Sequence, residues 1–480
     1  MMGLVRNSGL VKAGLTLGSV AILMTGCASV APATQTETAS ISAESLPPVP
    51  PGWTAARERV GDVQVGWIAD FEDPLLVDLV VEAQRNNRNL RAAAANVRRS
   101  WALARQAGSP LLPSVSGSGS VTRNEPLEGR PGNTSFTAGL QIGWEVDIWN
   151  RIEAGQQAAV ESARATEADY VFSQYSIASA VAQSYFLVIE SDEQIFVAQS
   201  IVDALIEIRR IVRLRYRYGF ASAYDVSLSE SDLATAVDTL ETAKNAKLEA
   251  LRALESLLGR YPGADQETPE LLPDVPEAPA AGLPSELLER RPDIIAAERT
   301  IAAAINNRKV AEAAKLPSIS LSSSIGGASG DLGDLLDPAN VVWTLAANIM
   351  APIFDGGARD AQVDITEADV EAAVALYADT AINAFTEVET ALDRGVSLRK
   401  RRIALEKATE ETSNALRLSL LQYKEGEIDL IDVLSLQQRV FGAESSLIAL
   451  KRAQLNQYLE ISLALGGDWK KAADPEQLAE

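Results

Sequence analysis

The chain has 480 residues, with 43 Lys and Arg against 65 Asp and Glu, one Cys and no His. The lack of His excludes His-based acid–base catalysis, Ser-His-Asp hydrolysis and any His-ligated metal, and one Cys excludes an internal disulfide or thiolate zinc cluster. A net charge of −22 argues against nucleic acid, whose phosphates need a basic surface, while 47% hydrophobic residues suffice for a core. No enzyme, cofactor or metal site is therefore expected.

Residues 1–26 read as an export signal. Arg6 and Lys12 supply its positive start, and the apolar run at 13–24 is too short to span a membrane as a helix. Met24-Thr25-Gly26-Cys27 resembles a bacterial lipobox, in which small residues precede a Cys that is lipidated as the signal is removed; Leu23 stands one place early. The other reading is an ordinary signal with an incidental Cys. With lipidation, Cys27 carries lipid such as palmitate and begins a mature chain of charge −24. Ala28 and Ser29 follow without an Asp in second place, which implies sorting to the outer membrane. Residues 27–60 are then a lipidated linker, rich in Pro at 46–51.

A first unit follows at 61–261. Two stretches, about 113–124 and 134–148, show period-2 patterning: Phe136, Ala138, Leu140, Ile142 and Trp144 alternate with Thr137, Gly139, Gln141 and Gly143. In the earlier stretch serines oppose Val115 and Val121. The lengths are near the ~9–11 residues that cross a bilayer as a tilted strand. On alternation alone, hairpins packed on a soluble core would be the better reading; the export signal and anchor turn it toward the outer membrane. Residues 156–218 then run without Gly or Pro and are rich in helix formers. Ile201, Leu205, Ile208 and Val212 step by 4, 3 and 4, a coiled-coil seam. Glu161, Arg164, Glu167 and Asp169 put charges on nearly every turn and keep this helix out of lipid. It ends at a tip, 218–223, where Gly219 is a helix stop and Ser222, with Asp225 three residues on, starts the return.

Six prolines make 262–284 a connector. A second unit at 285–467 repeats the first, and a tail occupies 468–480. Its strands are expected at about 316–327 and 340–353, with Val341, Trp343, Leu345, Ala347 and Ile349 on one face. Its long helix covers 358–425, its tip 425–430, and Val433, Val440 and Leu447 step by 7 on the returning helix. Gly426 and Asp429 take the places of Gly219 and Ser222. Pro113-Ser114-Val115-Ser116 recurs as Pro317-Ser318-Ile319-Ser320 at an offset of 204, and Tyr216, Gly219, Asp225 and Val226 recur as Tyr423, Gly426, Asp432 and Val433 at 207. This constant register indicates an internal two-fold duplication. Residues 326–330 lack the ending of a phosphate loop and are expected in an external loop.

Four strands cannot close a barrel, and open sheet edges are not tolerated in lipid. Two copies would give eight strands and three would give twelve; an eight-stranded barrel is filled by its own side chains, so a conduit favours at least three. The fold class is thus mixed α and transmembrane β, with long coiled-coil helices and four strands per subunit.

The order signal, lipobox, then helix, two strands and helix hairpin written twice resembles the TolC-like outer-membrane efflux proteins, in their lipoprotein branch. The run Leu283-Pro284-Ser285-Glu286-Leu287-Leu288-Glu289-Arg290-Arg291-Pro292-Asp293-Ile294 and the exits Asp147-Ile148-Trp149 and Ile353-Phe354-Asp355-Gly356-Gly357 carry the likeness, which covers 60–467. The resemblance implies a homotrimer with a twelve-stranded barrel and an α-helical periplasmic tunnel. It also implies docking onto a membrane-fusion adaptor and an inner-membrane transporter, as a passive duct for small molecules such as drugs. Asp432 then matches an aspartate ring that constricts the periplasmic entrance, and Asp225 and Tyr423 match the network holding it shut. Ser435 stands where a second acidic ring belongs, and Ile428 where an Arg should pair with Asp225, so closure is expected to rest more on packing than on ion pairs. Gly219, Ser222, Gly426 and Asp429 would shape the adaptor-docking tips.

Alternatives are a type I secretion duct for polypeptides and a periplasmic coiled-coil scaffold lipoprotein with no channel. Extraction separates duct from scaffold. Cys27→Ser should abolish palmitate labelling yet leave the chain in the outer-membrane fraction, released only by detergent; release into the aqueous fraction would mean that the strands do not embed.

Overall fold

A computed structural model describes residues 35–55, 66–127 and 131–467. The signal at 1–26, Cys27 and the tail at 468–480 lie outside these residues. Two compact units emerge, one from residues 108–155 and 307–363, the other from 35–107, 156–306 and 364–467. The helices are α1 Gln35–Glu44, α2 Pro74–Asn86, α3 Arg88–Gly108, α4 Arg151–Arg217, α5 Ala223–Leu258, α6 Pro284–Arg290, α7 Pro292–Ala313, α8 Ala358–Glu425 and α9 Leu430–Ala464. The strands are β1 Ser114–Asn124, β2 Asn133–Val146, β3 Ser318–Ser329 and β4 Val341–Met350. The order helix, helix, strand, strand, long helix, returning helix occurs twice. No helix among the described residues is long and apolar enough to cross a membrane.

The first unit is an antiparallel four-stranded meander, β1-β2-β3-β4. Its register decides what the alternation in each strand adds up to. Val115 lies opposite Ile142, and Ile142 opposite Ser323; Leu140 lies opposite Ile325, and Ile325 opposite Trp343. Because residues directly opposite share a face, the four apolar sets fall in phase. One face carries Val115, Val121, Phe136, Leu140, Ile142, Trp144, Ile319, Leu321, Ile325, Trp343, Leu345 and Ile349. The other carries Ser116, Ser118, Ser120, Thr137, Gln141, Ser320, Ser322, Ser324, Thr344 and Asn348. The apolar face is bare within one chain: Trp343, Leu345 and Ile349 are 72%, 71% and 73% exposed.

The expected bounds of these elements need correction. Residues 326–329 belong to β3 and not to an external loop. Gly326 pairs with Gly139, and a Cβ on Gly326 would lie 2.6 Å from the Ala138 carbonyl oxygen, so two glycines let the main chains approach where side chains could not. The expected strand end at 148 also moves back to Val146, because the Ile148 amide turns to donate to the Val146 carbonyl at 2.9 Å.

The same exit sets the start of α4, which begins at Arg151 and not at 156. The Asp147 carboxylate accepts from the amides of Ile152 at 3.1 Å and Glu153 at 2.8 Å, satisfying donors that the first turn leaves open. Asp355 does likewise for Gly357 and Arg359 at the start of α8. These two aspartates explain the paired exit motifs. α4 and α8 have 67 and 68 residues, roughly 100 Å each at 1.5 Å per residue.

The second unit buries three apolar clusters. One gathers Trp67, Phe71, Leu76, Tyr185, Phe186, Leu254 and Tyr458. Burial and the neighbouring Asp73 push the Tyr185 hydroxyl, which donates to that carboxylate at 2.5 Å, well above the usual phenol range. A second cluster centres on Trp53, Ile294, Ile301, Tyr377 and Val388. The third holds the seam read from the sequence, with Leu205, Ile208 and Val212 buried against Leu233, Leu430 and Val433. Val440 is buried and Leu447 half-buried, so the step of 7 follows the inner side of α9.

Arg291, within the run 283–294, forms ion pairs from a buried guanidinium. Its side chain is 4% exposed and binds Asp293 through two nitrogens at 3.0 and 2.7 Å, Glu387 at 2.6 Å and the Ala464 carbonyl at 3.1 Å. It ties the start of α7 to α8 and to the end of α9. Arg291→Ala would leave Asp293 without its partner. A loss of about 3 kcal/mol is expected, at the low end for a buried pair because Glu387 stays half exposed, seen as a lower Tm of detergent-solubilised protein. An unchanged Tm would mean that the pair contributes nothing net.

Candidate functional site: the two hairpin tips

Both long helices end in the same local device. Gly219 and Gly426 adopt φ of +81° and +85°, where a Cβ would be strained. The Phe220 amide donates to the Arg215 carbonyl at 2.8 Å and the Gly219 amide to that of Tyr216 at 3.1 Å. Glu427 and Gly426 repeat this with Gln422 and Tyr423, at 2.9 and 3.1 Å. This paired pattern closes a helix C-terminus.

The returning helices start differently. Ser222 caps α5 in a reciprocal box: its Oγ accepts from the Asp225 amide at 3.1 Å, while the Asp225 carboxylate accepts from the Ser222 amide at 2.7 Å. Asp429 occupies the cap position of α9, with extended backbone, but its side chain makes no capping bond. Asp429 holds the place that Ser222 has in the first repeat but not its side-chain bond, and the main chain alone closes that turn, the Asp432 amide donating to the Asp429 carbonyl at 3.2 Å. Asp432 and Ser435 are exposed on α9. The Ser435 hydroxyl donates back to the Ile431 carbonyl at 2.7 Å, within its own helix.

Tyr423 is the buried centre of the site, 6% exposed among Leu205, Ile208, Val212, Leu430 and Val433. Ile428 packs at the edge of this cluster. Tyr216, its equivalent in the first sequence repeat, is 50% exposed. Over Tyr423 lies Arg215, a residue the sequence reading missed. Its guanidinium sits 4.8 Å from the ring centroid and donates to the Tyr423 carbonyl at 2.7 Å and the Lys424 carbonyl at 3.4 Å. It thereby caps the last turn of α8 from α4, joining the tips of the two hairpins. Burial pushes the Tyr423 hydroxyl above its ordinary value; Arg215 opposes that shift and Asp225 adds to it. Packing, expected to carry this site, is thus joined by a cation, which enters from α4 and not from position 428. A cation one turn before a Gly stop is a common C-terminal feature. Its true partner, 208 residues away, is set by the tertiary fold alone.

A sheet with one bare apolar face defines a membrane-associated protein. The sequence profile of the outer membrane efflux protein family matches residues 79–260 and 283–467. The chain is similar to the pyoverdine export outer membrane protein OpmQ of Pseudomonas aeruginosa, 33% identical over 87% of this chain and 90% of that protein. It is also similar to the probable efflux pump outer membrane protein TtgC of Pseudomonas putida, 30% identical over 95% of this chain and 96% of that one. Among solved structures, the outer-membrane channel OprN superposes with a TM-score of 0.81 at 26% identity, covering 88% of this chain and 97% of that channel. The chain belongs to the outer membrane efflux protein family. It is an outer-membrane protein of efflux.

If Arg215 holds the tips together, removing it should open them locally. Arg215→Ala is expected to speed tryptic cleavage at Lys424 about tenfold, the effect of losing a charged hydrogen bond worth about 1.5 kcal/mol. Arg215→Lys should recover little, since an ammonium lacks the planar fork that lies over the ring. Wild-type cleavage in both variants would show that Arg215 does not brace the tips.

Proposed function

We propose that three copies of this chain form the outer-membrane duct of a tripartite efflux system, conducting small molecules delivered by an inner-membrane transporter through a periplasmic adaptor. The observation that carries this reading is the in-phase register of the sheet. It gives one continuous apolar face, one hydroxyl-rich face and two unpaired edges, β1 and β4. An apolar face suits lipid, but lipid does not tolerate open edges. Pairing β4 of one copy with β1 of the next satisfies them, and three copies give twelve strands around a lumen lined by Ser and Thr. The long hairpins supply a periplasmic tunnel.

In this reading the chain is an internal duplication, with a first repeat at 61–261, a connector at 262–284 and a second repeat at 285–467. The family profile matches twice, once over each repeat, the second match starting two residues before it, and supports it. Cys27 holds the mature protein to the membrane by lipid, behind a signal at 1–26. Relatives named for pyoverdine export and for an efflux pump support small-molecule cargo, with the inner-membrane partner choosing it.

The tips form the periplasmic gate. Asp432, exposed on the first turn of α9, would be brought close to its two copies around the axis, and a ring of like charges there attracts cations. Tyr423, Arg215 and Asp225 hold each subunit's tips together. Ser435, bonded to its own helix, contributes no second ring. Single-channel recording in planar bilayers tests this: the wild-type protein should form cation-preferring channels blocked by multivalent cations, and Asp432→Ala should raise conductance and relieve the block. Unchanged conductance and block would exclude the ring.

A further inference from the structure

The two tips share one backbone design and carry opposite side chains. At the first, Tyr216, Tyr218, Phe220 and Tyr224 are 50%, 72%, 74% and 64% exposed. Arg213, Arg215 and Arg217 are interleaved with them; Arg213 pairs with Glu230 and Arg215 with the end of α8, which leaves Arg217 as the cation facing outward with the aromatics. At the second, Glu425, Glu427, Asp429 and Asp432 are all exposed beside a single exposed cation, Lys424, and no aromatic is. At the offset of 207 that aligns Gly219 with Gly426, Tyr218 corresponds to Glu425 and Phe220 to Glu427. The flanks of two equivalent turns have thus exchanged an aromatic for a carboxylate, twice. The tips adjoin within one chain: besides the Arg215 contact, a Cβ on Gly426 would lie 3.6 Å from the Arg215 guanidinium.

Exposed aromatics beside Arg are costly in water and are the residue types that dominate protein–protein binding energy. A uniform polyanion, such as an anionic lipid surface, would be drawn to the first tip and repelled by the second. Only a partner with both charge signs in alternation satisfies the pair. We propose that the docking partner is a protein with two unlike contact points: a carboxylate-bearing apolar turn that seats on Tyr218 and Phe220, and a Lys- or Arg-bearing turn that seats on Glu425 and Glu427. The duplication would then give a duct whose six tips alternate in sign, so that a partner can engage in only one rotational register. This rests on the reading of the tips as an adaptor-docking end.

The test places p-benzoylphenylalanine at position 218 or 427 of the full chain, in the bacterium that encodes it, and maps the peptides attached on irradiation. The expected result is one protein attached at both positions, through an Asp- or Glu-bearing segment at 218 and a Lys- or Arg-bearing segment at 427. Adding Arg217→Glu with Phe220→Glu should cut the first crosslink about tenfold and leave the second. The same segment at both positions, attachment to lipid or to a second copy of this chain, or no attachment at either position would overturn the proposal. The same variants are recorded in planar bilayers: channels that conduct while crosslinking fails leave the duct reading intact, whereas absence of channels removes that reading itself.

Discussion

Everything in this protein follows from the unpaired backbone at the two edges of a four-stranded sheet. An N–H or C=O left open in hydrocarbon costs several kcal/mol, and β1 and β4 each present a row of them beside an apolar face. In water such edges invite aggregation; in a membrane they demand closure. One chain has too few strands to close on itself, which is why the duct proposed above takes several copies. The sheet's own interior shows how close that packing is, with Gly139 and Gly326 paired where no side chain would fit.

The helical unit meets a different constraint. The 68-residue α8 is exposed along much of its length, and the buried stripe near the tips is narrow, Leu205, Ile208 and Val212 against Leu430 and Val433. The unit's stability comes from packed seams and a few polar braces rather than one deep core. Arg291 braces the middle of this unit and Arg215 its tips. Both point a guanidinium at helix-terminal carbonyls as well as at a charged or aromatic partner, a use for which the planar fork of Arg suits and an ammonium does not.

Much of this was legible in the sequence. Strand alternation, Gly stops and coiled-coil steps are local signals with fixed periods, and the helices, strands and tips fall close to where those periods place them. Phase between strands was not legible, because it depends on pairing. Only the register shows that Val115, Ile142, Ile325 and Trp343 share one face. Residues 326–329 read as a loop because Gly and Ser signal turns, whereas here they relieve crowding inside a sheet. Asp429 looked like a cap because its residue type and place fit, yet side-chain rotation decides whether a cap forms. Arg215 was invisible because nothing in its neighbourhood points to Tyr423.

The central claim is that three copies close the sheet through β4 and β1 of neighbouring subunits. Paired cysteines, one scanned along β1 and one along β4 of the same chain, test it directly by oxidation in membranes and denaturing electrophoresis. Closure by three predicts, at matched positions, a covalent ladder that ends at three chains. Crosslinks that stop at two, extend beyond three or never pass between chains would contradict it.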